Sequence, residues 1–156
     1  LDDTTSVYKN IHADVRKCAI DADPVRALKE LGLTRAARLY DSASSADGNA
    51  DALTELAAAL ELLETGLRLQ FEDRPEGPYG NAAANLSLIK ADRLYAKALS
   101  SVVALGDDRF VAVLCDALAA ASEGRAWPEQ PGSADNRNAL YQAAGSLAEL
   151  LETDRN

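Results

Sequence analysis

The side chains whose spacing suits chemistry begin with three carboxylates, Glu72, Asp73 and Glu76. Glu72 and Glu76 are four residues apart, the interval that stacks two side chains on one helical face, where carboxylate oxygens can share a divalent cation. Pro75 stands between them, and it has no amide hydrogen with which to continue a helix. The expectation is a solvated acidic turn, with Glu72 and Asp73 as the residues left to hold one ion loosely. His12 is the sole histidine, so no histidine relay or multi-histidine metal site can be assembled, and a structural role is expected for it. Cys18 and Cys115 are far apart, with no Cys-x-x-Cys, and both fall in apolar patterns that predict reduced, buried thiols. Phosphate-loop glycines and nucleophile elbows are missing, which removes ordinary nucleotide and hydrolase chemistry.

Lys90, Arg93 and Lys97 recur at i, i+3 and i+7 and form a basic stripe that suits an acidic partner surface. The plainer reading is a solvated helix face. The stripe sits in a chain whose formal charge is -9, which repels phosphate backbones and anionic headgroups. Nucleic acid is therefore not an expected partner. No run of eighteen apolar residues exists, and no basic segment leads into an apolar one at the start of the sequence. The expectation is a cytoplasmic protein without a membrane span.

These residues must be positioned by helices. With few aromatics and no methionine, the core falls to Leu, Ala and Val, and 156 residues suffice for one all-α domain covering 1–156. Val7, Ile11, Val15, Cys18 and Ala22 predict a first amphipathic helix, and two shorter ones follow Asp23-Pro24 and Thr34. Polar residues 42–49 read as a loop. From Asp51, the stripe Leu53, Leu56, Ala57, Leu60, Leu63, Leu67 and Phe71 predicts a long helix ending near Arg74. Asn81 to Leu105 predicts another, apolar on more than one side and so placed centrally in a bundle. Gly106 ends it. The next helix is expected to close at Gly124, an irregular loop spans Trp127 to Ser133, and Leu140 to Leu151 make the last helix.

Taken together, Ala57 to Leu63 (AAALELL), Gly80 to Ala84, and Lys90 to Leu99 (KADRLYAKAL) resemble, in order and spacing, the central helices of trans-isoprenyl diphosphate synthases. Leu105-Gly106-Asp107, Ser122-Glu123-Gly124 and the helix from Asn138 to Leu151 continue the likeness, which covers residues 51–151. The fold it implies is a helical bundle corresponding to part of an isoprenoid synthase. In that family an aspartate-rich DDxxD motif holds the magnesium ions that bridge the allylic diphosphate. Here its positions fall on Phe71, Glu72, Asp73, Arg74 and Pro75, so the first and last aspartates are replaced. The second such motif would lie beyond Asn156.

The resemblance is closest to the small noncatalytic subunit of heteromeric prenyl diphosphate synthases. It implies a hetero-oligomer with a catalytic subunit, an influence on activity and product chain length, commonly for quinone side chains, and magnesium supplied only through that partner. It also implies no cofactor or catalytic residue of the chain's own. Gly66, Leu67 and Phe71 fall where the family lines its prenyl tunnel, although Leu67 and Phe71 also fit an ordinary core stripe. Gly66 inside a helix costs about 1 kcal/mol relative to Ala, which close helix packing or space for a ligand would explain. Asp92 matches a family aspartate and is expected to make an interhelical hydrogen bond. Two alternatives stand beside this one. They are a two-chain enzyme whose site is completed by Glu72 and Asp73, and a prenyl-lipid-binding or homodimeric helical protein with no synthase partner.

Overall fold

A computed structural model describes Ala13, Arg35, Arg38, residues 50–72 and residues 80–153. The described residues form helices and turns, without a strand among them. The elements are α1 (Ala50–Phe71), α2 (Gly80–Val103), α3 (Asp108–Ala126), α4 (Ser133–Arg137) and α5 (Ala139–Thr153). Ala13, Arg35 and Arg38 are helical. The other residues of the expected N-terminal helices, with His12 and Cys18, lie outside the described residues, as do Asp73 and Glu76.

The centre of the bundle is α1. Every residue from Leu56 to Leu63 is buried, so this helix is covered on all sides. Leu56, Leu60, Leu62, Leu63 and Leu67 are fully enclosed, and each such leucine contributes about 1.5–3 kcal/mol of transfer free energy. Against α1 pack α2 along its length and, over smaller areas, α3 and α5. Each neighbour brings one stripe at helical spacing: Ala91, Leu94, Ala98 and Val102 from α2; Phe110, Leu114, Ala117 and Ala121 from α3; Leu140, Ala143, Ala144, Leu147 and Leu151 from α5.

The central position expected for α2 therefore belongs to α1. The apolar residues of α2 on other faces, Leu86, Leu88 and Ile89, are exposed. Two faces of apolar sequence look the same whether the second meets the core or solvent, and here the all-round burial belongs to α1.

Local chemistry explains the boundaries. At the end of α2 the amide of Gly106 donates to the carbonyl of Val103, and Gly106 has φ of 79°, a left-handed conformation that favours glycine. Asp107 caps α3, its Oδ1 accepting from the Arg109 amide at 3.0 Å. Gly124 does not end α3, which continues to Ala126. Its role is steric, since a Cβ there would lie 2.8 Å from both the Arg137 nitrogen and the Ser133 carbonyl oxygen. The missing side chain lets α4 dock directly on α3. The segment 127–132 is irregular as expected, and the buried Ser133 hydroxyl donates to the Pro128 carbonyl at its far end.

Candidate functional site

Most charged side chains of α1 are not on a solvated face. Glu61 is 3% exposed and Glu64 13%, three residues apart and so on one side of the central helix. Two arginines from distant parts of the chain neutralise them. Arg35 Nη2 donates to Glu61 Oε2 at 3.0 Å, and its Nη1 stands 3.9 Å from Glu64 Oε1. Arg125, in the last turn of α3, donates from Nη2 to Glu64 Oε2 at 2.6 Å. Carboxylates buried this deeply are tolerated because each has a charged hydrogen-bond donor; an unpaired one would cost several kcal/mol, about 3–5 by analogy with broken buried pairs.

Of these side chains, Arg35, Glu64 and Arg125 line an open cleft of about 340 Å³. Arg137 of α4, Asn138 between α4 and α5, and Leu140 and Tyr141 of α5 line it as well. The Tyr141 ring carries the Arg38 guanidinium 4.2 Å from its centroid. Gly145, one turn further along α5, leaves room for that guanidinium, since a Cβ at this position would sit 3.2 Å from Arg38 Nη2. Among the described residues, three arginines and two glutamates line the cleft, a local excess of positive charge on a chain of charge -9.

Among the described residues, the buried guanidinium nitrogens Arg35 Nε and Arg125 Nη1 have no hydrogen-bond partner. The acid that faces Arg125 Nη1 is Glu72, whose Oε1 is 3.6 Å away, an ion pair too long for a hydrogen bond. Glu72 is half exposed and is also 3.9 Å from Arg68, one turn back on α1. Arginine offers its N–H groups in a planar fork that matches oxyanions. What this arrangement does well is hold a negative group.

The positions singled out in the sequence scatter around this cleft rather than line it. Leu67 is fully buried in the core and Phe71 is packed partly against it. Gly66 lies under the Tyr95 ring, where a Cβ would come within 2.4 Å of Cε1, so helix packing accounts for the glycine. Tyr95 donates its hydroxyl to Gln70 Oε1 at 2.8 Å, and burial pushes its phenol well above the ordinary value. Lys90, Arg93 and Lys97 are partly buried and take part in interactions within the chain, which differs from a freely solvated stripe. Asp92 is exposed on α2 and acts on Tyr95 through its charge, in place of the expected interhelical hydrogen bond. Cys115 is a free thiol on the outer side of α3, exposed where burial was expected, because its neighbour Leu114 takes the core position.

Of the acidic turn, Glu72 alone is described, and it faces arginines. Among the described residues, no group of three or more His, Cys, Asp or Glu side chains is placed to hold a metal ion, and no helix is long and apolar enough to cross a membrane.

Sequence reasoning missed Arg35, Glu61, Glu64 and Arg125. A signal existed for the acids: Glu61 and Glu64 interrupt the most apolar part of the longest stripe, where an acid needs a cationic partner. None existed for the arginines, since Glu64 and Arg125 are 61 residues apart. Compared with protein-family models, with characterised proteins and with solved structures, the chain has no match.

Proposed function

We propose that the chain is a helical, noncatalytic subunit that pairs with a catalytic prenyl diphosphate synthase and influences its activity and product chain length. The observation that carries this reading is the N-terminal half of α2, where Leu86, Leu88 and Ile89 are 46%, 44% and 56% exposed. Three large aliphatic side chains within four residues favour burial by a partner, at about 25 cal/mol per Å² of apolar surface covered. The sequence resemblance over 51–151 suggests the class of that partner.

On this reading the functional form is a hetero-oligomer, and magnesium and both diphosphate sites enter with the catalytic chain. Supporting that division, Glu61 and Glu64 on α1 and Glu72 just past its end face arginines of their own chain. The exposed, unpaired thiol of Cys115 suits a reducing compartment such as the cytoplasm.

The test is a tagged pull-down from the native lysate, assayed for magnesium-dependent addition of isopentenyl diphosphate to an allylic primer. The tagged protein alone serves as control. Activity carried by a co-purifying chain with two aspartate-rich motifs, and lost with Leu86→Asp/Ile89→Asp, is the expected result. Absence of such a chain overturns the reading. The same exposed apolar residues would then favour a prenyl-lipid-binding or homodimeric helical protein, recognised by native mass spectrometry as bound lipid or doubled mass.

A further inference from the structure

We infer that the cleft between Arg125 and Arg137 binds the phosphate group of a small phosphomonoester, and that Glu72 is the side chain the phosphate displaces. Arg125 is nine-tenths buried and fixed from behind by its 2.6 Å bond to Glu64, so its free Nη1 is held in one position. Leaving such a donor without an acceptor costs about 1–3 kcal/mol, and Glu72 at 3.6 Å relieves this only through space. A phosphate oxygen at hydrogen-bond distance would satisfy it fully, with the charge-assisted strength typical of guanidinium and phosphate.

The second cation is already present. Arg137 lines the same cleft from α4, is exposed, and has no ion pair among the described residues. Glu64 stays bonded to Arg125, so among the described residues the carboxylate that has to move is the half-exposed Glu72, just past the end of α1. At about 340 Å³ the cleft is larger than an oxyanion requires and lies at the lower end of the range for small-molecule sites. The half-exposed Tyr141 supplies a surface for an organic group attached to the phosphate, with the buried Leu140 closing the cleft behind it.

This site is separate from the exposed α2 residues on which the subunit reading rests, so either proposal can fail alone. The experiment is isothermal titration of the full chain with phenyl phosphate and with inorganic phosphate at constant ionic strength. Saturable one-to-one binding is expected, tighter for phenyl phosphate. Glu72→Gln removes the competing carboxylate and should tighten binding roughly three- to ten-fold, while Arg137→Ala should weaken it by a similar factor. Both side chains are exposed, and circular dichroism of each variant confirms that the helices persist. Lack of saturable binding, or unchanged affinity in Glu72→Gln or Arg137→Ala, overturns the assignment. Equal affinity for the two anions overturns the monoester and leaves no place for an organic group.

Discussion

Replacing Gly66 with alanine sets a local helical preference against tertiary packing, and the structure says which wins. In an isolated helix the change would be favourable by about 0.8–1.0 kcal/mol. In this protein the new methyl would lie 2.4 Å from Tyr95 Cε1, 2.9 Å from Cδ1 and 3.1 Å from Cζ. Carbon atoms in contact sit about 3.5–4.0 Å apart, so the ring must retreat by roughly an ångström. Forcing an extra methyl into a packed interface costs about 1–3 kcal/mol. The retreat also strains the 2.8 Å bond from the Tyr95 hydroxyl to Gln70, worth about 0.5–1.5 kcal/mol net. Gly66→Ala should therefore destabilise by about 1–3 kcal/mol. In a Tyr95→Ala background the obstructing ring is gone, and the same substitution should stabilise by up to about 1 kcal/mol. Urea unfolding of the four proteins, compared by midpoint at constant slope, reads both signs. A stabilising Gly66→Ala in the wild-type background, or an equal effect in both backgrounds, would refute the packing argument.

Arg125→Met removes the donor that neutralises Glu64 and should cost about 2–4 kcal/mol, while Arg125→Met/Glu64→Leu should recover most of that loss in the same unfolding assay. Asp107 is held below the ordinary aspartate value, first by the Arg109 side chain and then by the Arg109 amide. A depressed folded-state value means that its contribution is present above the unfolded value of about 3.9 and is lost as pH falls through the lower folded value. The stability difference between wild type and Asp107→Ala should hold from neutral pH to about 5 and shrink progressively below about 4, as read by circular dichroism melts from neutral pH into the acid range.

Much of the scaffold was legible in the sequence because helical periodicity is a local property. The stripes of α1, α3 and α5 occupy the core as their spacing predicts, and the turn at Gly106-Asp107 follows from glycine and capping chemistry next to each other in the chain. Other features turn on what a second element supplies. Gly124 looked like a helix end, yet α3 runs through it because α4 packs against the bare backbone. The burial of α1 and the exposure of Leu86, Leu88 and Ile89 on α2 could not be separated by pattern, since an apolar face has the same spacing whether it meets protein or water. Tertiary structure alone determined the arginine cleft. It brings Glu64 together with Arg35, Arg125 and Arg137, and charges so far apart along the chain have no periodicity, becoming neighbours only when the helices pack.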